Sequence, residues 1–587
     1  MVSILKNPQL VLLNIEKIKS FKSNRRFLAA DFNMDNWESL APYIERLLNE
    51  EILSSNDFKE WLLKWSELEG VISEDVAWRY INMTIDTSNK SFAEKYSNFV
   101  ENISPFLQKE GHKINEKIAS CPFIDQENPT AFEVYKRGII TAIELFNEEN
   151  IALKTKEQLL EKEYGEIAGK MSIEYDGKEL TMPIAATYLK NTNRQIRQTV
   201  WETMSERRLN DAKKLDCLLS DMINLRHQIA INTGFKNYRD YKFRALNRFD
   251  YTPKDCFNFH KSCKEHVIPL VQPLLEYRKN KLELDTLKPW DLSIDIEGKK
   301  ALKVYQNEDE FIEKGIACFN EIDPYFGECL NTMKELGYLD LFSRKNKAPG
   351  GYNYPLNEIG IPFIFMNAAG TVGDLTTLVH EGGHAIHSFI TRSMPMVAYR
   401  SAPMEVSEVA SMAMELISMD YWHHFFPNII DLKRAKVYQL ERVISVLPWI
   451  AQVDEFQHFL YENPKHSHIE RKEYWDKLNK EYSSGLIDQN ENKKYSPYTW
   501  QKQLHIFEVP FYYIEYGIAQ LGAIGLWMQF KKDKNKGISN YKKMLSLGNT
   551  RTIPELYKAA ELEFDFSSKS IRSLCQFVES EIQELLD

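Results

Sequence analysis

His380, Glu381 and His384 stand in the order His-Glu-x-x-His, a spacing that can grip a metal ion. On a helix, two histidines four residues apart lie roughly 40° apart around the axis, so both imidazoles reach one cation from one face. Glu381 projects from the adjoining edge. There a carboxylate can take a proton from water at the metal without being a ligand. A catalytic zinc site needs three protein ligands and one open position, so a third donor must come from elsewhere. Glu408 is the candidate, 24 residues after His384 in the run SAPMEVSEVASMAMELISMDYW, which leaves room for one helix to end and a second to pack beside it. Glu415 shares its face and Glu405 precedes it by nearly a turn. Acids set among Val, Ala, Ser and Met are costly to bury without a cation. Glu415 or Glu405 is expected to orient one imidazole. His387 falls near the same face and reads as support rather than a ligand. The pairs His466/His468 and His423/His424 lack a third partner at such spacing and read as solvated.

Several elements must position these groups. Thr371 and Asp374 fit a capping box that starts the metal helix about two turns before His380. Gly382 and Gly383 each cost about 1 kcal/mol there relative to alanine, which suggests that a strand or a bound substrate passes close by; simple tolerance is the other reading. The run Pro362 to Asn367 reads as a strand ending just before that helix. It is either an edge strand that pairs with an extended peptide or an interior strand. Phe365 and Asn367 on it, Gly370 just beyond it, Tyr352 upstream and Tyr513 further on are the candidate substrate contacts. In HIFEVPFYYIEYG, Pro510 suits a first helical turn, Tyr512 and Tyr516 then share a face, and His505 falls on the approaching loop. A histidine and tyrosines can donate to the oxyanion formed when water adds to a carbonyl. Tyr513 could replace either tyrosine, and an aromatic core helix is the plainer alternative.

The rest of the 587-residue chain bounds the setting. Its 74 Lys plus Arg against 84 Asp plus Glu give a net charge of −10, mixed along the length, which disfavours a nucleic-acid partner. The seven cysteines are scattered and read as reduced core thiols. The N-terminal apolar stretch is too broken for a signal sequence, and no run approaches a membrane span, so a soluble cytoplasmic protein is expected. To about Leu287 the periodicity is helical. Leu218, Met222, Leu225 and Ile229 form one stripe, and Thr252-Pro253 caps another helix. Strands are expected only between about Trp290 and Asn367, in an otherwise α chain.

Together HEGGHAIH (His380 to His387), EVSEVASMAMEL (Glu405 to Leu416), KAPGGY (Lys347 to Tyr352), IPFIFMNAAGTVGDLTTLVHE, His505 and FYYIEYG (Phe511 to Gly517) resemble the oligoendopeptidase F and thimet oligopeptidase family of zinc metallopeptidases. Weaker similarity runs from about residue 120, including INLRHQIAINTGFKNYRDY. The resemblance implies a mainly α, zincin-like ellipsoid with a deep substrate channel and a small sheet beside the metal helix. Residues 1–200 would cover the channel and 201–587 form the catalytic region of one continuous body. It implies one zinc per chain held by His380, His384 and Glu408, Glu381 as general base, and His505, Tyr512 and Tyr516 on the tetrahedral intermediate. The activity implied is endopeptidase cleavage of short unfolded oligopeptides; the oligomeric state is left open, a monomer included. A helical zinc carboxypeptidase or dipeptidase is the rival. It would need a cation to anchor a terminal carboxylate, for which Arg344, Lys345 and Arg400 are candidates. A catalytically silent peptide-binding protein would be expected to lack a ligand or the base, and all four are present.

Overall fold

The computed structural model describes residues 25–126, 129–344, 346–348, 350–488 and 490–587. Most of the N-terminal stretch discussed above, and Lys345, lie outside them. In chain order the elements used below are α1 (Ser55–Ile85), β1 (Ser172–Tyr175), β2 (Lys178–Thr181), α2 (Ala212–Asn232), α3 (Pro253–Ser262), α4 (Glu308–Ile322), β3 (Leu339–Phe342), β4 (Tyr352–Tyr354), β5 (Phe363–Ala368), α5 (Val372–Thr391), α6 (Met404–Ile417), α7 (Ile429–Glu462) and α8 (Tyr513–Lys532). Helices dominate, and the sheets are small. Two compact units share the chain: Met1–Arg137, Val304–Ile429 and Gln529–Glu561 form the first, and Gly138–Lys303, Ile430–Met528 and Leu562–Asp587 the second. Among the described residues no helix is long and apolar enough to cross a membrane.

In the second unit the expected stripe of α2 is buried at Leu218, Met222, Leu225 and Ile229. The start of α3 is fixed by Asp255, whose carboxylate accepts from the Thr252 N–H at 2.8 Å and its hydroxyl at 2.7 Å. One element there contradicts the wholly helical reading. Strands β1 and β2 form an antiparallel hairpin with Ile173 opposite Leu180 on its buried side. Its turn is Asp176-Gly177, both with positive φ (53° and 68°), the backbone a two-residue hairpin demands and glycine tolerates best. Four-residue strands are too short to disturb the helical periodicity on either side. The cysteines are free thiols and buried except Cys217, which is exposed and so departs from the core assignment.

In the first unit a three-stranded sheet has the order β3-β5-β4, with β3 parallel and β4 antiparallel to β5. Strand β5 is therefore central, and the edge-strand expectation for Pro362 to Asn367 fails because both of its sides are paired. The run is apolar on successive residues because both faces are covered. On one face, Ala77 and Ile81 of α1 pack with Leu356, Phe363 and Phe365. Lys347 is buried against the sheet, its ammonium on the Asp340 carboxylate at 2.8 Å and the Phe342 carbonyl at 3.0 Å.

Helix α5 opens as expected, with Asp374 accepting from the Thr371 N–H at 2.6 Å and the Ala369 N–H at 2.9 Å. Its two glycines serve packing, and what passes close is neither strand nor substrate. A Cβ on Gly383 would meet the Ala410 carbonyl oxygen of α6 at 2.4 Å and Ser411 Cα at 2.7 Å, and one on Gly382 would meet the Phe319 ring of α4 at 2.4 Å. Tyr541 then closes over the same turn, its hydroxyl donating to the Ala410 carbonyl at 2.8 Å.

Gly383→Ala should therefore push two backbones apart and lower stability by about 1–3 kcal/mol or more. Gly111→Ala, in the helix Ser104–Ser120 with nothing within 4 Å of the added carbon, should be neutral or gain up to about 1 kcal/mol. Denaturant unfolding of the two variants checks the contrast.

Candidate metal centre

The one-turn spacing on α5 sets the His380 and His384 rings side by side, centroids 5.0 Å apart. Helix α6, brought in by Gly383, carries Glu408 to both. Its Oε2 lies 3.4 Å from His380 Nε2 and 3.5 Å from His384 Nε2, and all three donors fall within 4.8 Å of one another. On the far side of the ring, His380 Nδ1–H donates to Glu415 Oε1 at 2.7 Å, which directs Nε2 at the cluster. Of the two acids expected to orient an imidazole, Glu415 does so. Glu405 is buried a turn away, where after burial itself its charge is the next cause raising the Tyr557 phenol pKa. Ser411 was not anticipated. One turn after Glu408 on α6, its hydroxyl lies 3.1 Å from Glu408 Oε2 and 2.9 Å from the Glu408 carbonyl, and its i+3 spacing was the available signal.

The charges respond as close packing requires. Burial opposes ionisation of Glu408, but His384 and His380 outweigh it and hold the carboxyl well below its usual range. Burial likewise opposes the charge on His380, and its bonds to Glu408 and Glu415 raise it well above an ordinary imidazole. Burial pushes Glu381 up against the opposing pull of the two histidines. His387 is buried, which drives its pKa down to about 3; it is not part of the donor cluster.

The other expected site residues separate into groups. Phe365 is fully buried and stacked on Tyr352 at 4.7 Å, so its side chain is core and not a substrate contact. The Tyr352 hydroxyl is hydrogen-bonded to Thr84 Oγ1 at 2.7 Å. Asn367 spends its amide on the carbonyls of Ala348 and Gly350, at 2.8 and 2.9 Å, clipping the segment before β4. Gly370 accepts from the Val304 N–H at 3.2 Å. Strand β4 lies over the metal helix: Gly351 is 3.8 Å from Glu381 Oε1 by its would-be Cβ, and Asn353 Nδ2 donates to the Glu381 carbonyl at 3.4 Å. His423 and His424 are not partnerless, since Glu321 of α4 takes both at 3.2 and 2.7 Å.

His505, Tyr512, Tyr513 and Tyr516 belong to the second unit. His505 sits in a short helix, Leu504–Glu508, rather than on a loop; α8 begins at Tyr513, and Pro510 falls in the preceding turn beside Phe511, whose φ is +66°. That left-handed residue reverses the chain, so the proline marks a bend instead of a first turn. The histidine still meets all three tyrosines, with centroids 5.9, 4.9 and 5.6 Å away. Its Nε2 is 3.4 Å from the Tyr516 hydroxyl. Burial pushes the Tyr513 phenol up to about 12. Trp449 Nε1–H, which can only donate, points at Gln503 Oε1 at 3.1 Å, so the Gln503 amine faces His505 Nδ1 at 2.7 Å. His505 therefore accepts at Nδ1 and carries its proton on Nε2.

Residues 187–575 match the family model described as peptidase family M3, and residues 27–146 match the peptidase M3 N-terminal domain. The chain belongs to peptidase family M3. It is similar to oligopeptidase PepF of Bacillus subtilis, with 23% identity over 75% of this chain and 68% of that protein. It is also similar to the oligoendopeptidase F homolog of Borreliella burgdorferi, 21% identical over 84% and 85% of the two chains. The solved structure of PZ peptidase A with an inhibitor superposes with a TM-score of 0.90 and 25% identity, covering 96% of this chain and 99% of that one. Membership makes this M3 peptidase a metal-dependent oligopeptidase with the mainly α fold of its relatives.

In this M3 peptidase Glu415→Ala should cost about 10–100-fold in metal affinity, by freeing the His380 ring. Competition with a chromophoric chelator measures it.

Proposed function

We propose that the chain is a cytoplasmic zinc endopeptidase that cuts internal bonds of short unfolded oligopeptides, with His380, His384 and Glu408 as ligands. One observation carries the reading: a single carboxylate oxygen lies 3.4 and 3.5 Å from two imidazole nitrogens. Zinc–ligand bonds of about 2.0–2.1 Å in a tetrahedron set neighbouring donors roughly 3.3–3.4 Å apart, so the set suits that ion with little movement. When bound, zinc supplies Lewis acidity that polarises the scissile carbonyl and makes water a better nucleophile.

The chain's own groups do the rest. Glu381, whose raised pKa makes it a competent proton acceptor, takes the proton of the attacking water on a carboxylate oxygen and returns it to the leaving nitrogen. Since β5 is enclosed, an extended peptide would pair with the β4 edge beside Glu381. His505 Nε2–H and the hydroxyls of Tyr512 and Tyr516 are the groups we assign to the oxyanion.

Two of the cations that the exopeptidase rival would use as anchors already hold other partners. Arg344 is held by both Asp340 oxygens at 2.6 and 2.8 Å, and Arg400 by the carbonyls of Asn357 and Met394 at 2.7 and 3.1 Å.

An internally quenched peptide blocked at both ends should be cut by the intact protein; cleavage confined to peptides with a free end would make it an exopeptidase. Glu381→Gln should lose on the order of 10²–10⁴-fold in turnover with its metal retained, and near-normal activity would sink the base assignment. Tyr516→Phe should lower kcat by on the order of 10²-fold with KM little changed; an unchanged kcat would remove it from the oxyanion site.

A further inference from the structure

A second set of metal-binding side chains lies wholly within the second unit. Helix α3 presents Cys256 and His260 one turn apart, and α7 presents Asp454 and His458 at the same spacing. All four are at least nine-tenths buried, with Asp454 at 0% exposure. One donor atom each from Cys256, Asp454 and His458 fall within 4.8 Å of one another.

The hydrogen bonding around them is incomplete in a particular way. His260 Nε2–H donates to Asp454 Oδ2 at 2.8 Å, which aims the carboxylate. His458 Nε2 is 3.3 Å from the same oxygen, while neither His458 Nδ1 nor Asp454 Oδ1 has a hydrogen-bond partner. The ring is walled by aromatics, with Phe257 at 4.7 Å and Phe511 at 5.3 Å between centroids. Arg248, the nearby guanidinium, is bound by Glu515 at 2.8 Å. A buried carboxylate, the imidazole beside it and a thiol in one aromatic-walled box offer three donors that a single cation would satisfy together.

We propose that Cys256, Asp454 and His458 bind a second divalent metal ion that staples α3 to α7, with His260 orienting Asp454. Thiolate, imidazole and carboxylate donors together favour zinc over calcium or magnesium. The site differs from the candidate metal centre in its thiolate, and from the exposed cluster of Glu321, His423 and His424, which has none.

The test is metal analysis of the full chain and of a His380→Ala/His384→Ala variant after dialysis, then cobalt reconstitution. The expected result is two equivalents falling to one, and a near-ultraviolet thiolate-to-cobalt charge-transfer band in both proteins. Cys256→Ser should abolish the band, and Cys217→Ser, at the exposed cysteine, should leave it. A variant that keeps no metal, or keeps it without the band, overturns the proposal. Should either Cys256→Ser or the double variant fail to fold, stoichiometry and band in the unmodified chain decide between the same outcomes: one equivalent, or two without the band, refutes the second site.

Discussion

Helix α5 meets α6 backbone to backbone at Gly383, and the donor geometry follows from that approach. With no side chain between them, the Ala410 carbonyl sits where a Cβ would be. The imidazoles flank the contact on one helix, Glu408 and Ser411 on the other. Residues distant in sequence come within hydrogen-bonding range because a glycine stands where almost any helix former would be more stable on its own. Phe319 packs into the adjacent gap at Gly382, so a third helix fixes the same turn.

The electrostatics of the cluster are those of a site waiting for positive charge. The two imidazoles hold the Glu408 carboxyl well below its usual range, and His380 gains proton affinity from Glu408 and Glu415. A dication serves the same carboxylates and removes the need for that proton. It would also lie near Glu381, whose pKa burial raises; a nearby cation draws such a group back toward its ordinary range. Ligand binding and base strength are thus coupled through a few ångströms of low-dielectric interior.

What sequence could convey divides along physical lines. Helix start signals and i,i+4 spacing are local, so the capping box at Thr371, the His380/His384 pair and the Glu408 helix were legible. The partner of a strand is not local: the apolar run at Phe363 to Ala368 is equally consistent with an edge or a centre, and only the arrival of β3 and β4 decides it, which removes Phe365 from any surface. Likewise the glycines signalled a close approach without saying by what. The bend at Phe511 was hidden because a left-handed residue other than glycine has no reliable sequence mark. The hairpin at Asp176-Gly177 had a readable turn and was masked by its helical surroundings. His505 and its tyrosines were found by type, while the tautomer depends on Trp449, which no motif includes.

All three candidate donors, the proposed base Glu381 and the orienting Glu415 come from one stretch of the first unit, Val304–Ile429, whereas Tyr541 reaches the Ala410 carbonyl from the last stretch, Gln529–Glu561. On the ribosome the complete donor set therefore emerges well before its clasp. The Ala410 carbonyl of α6 thus waits for its extra hydrogen bond until the last stretch of the unit has been made.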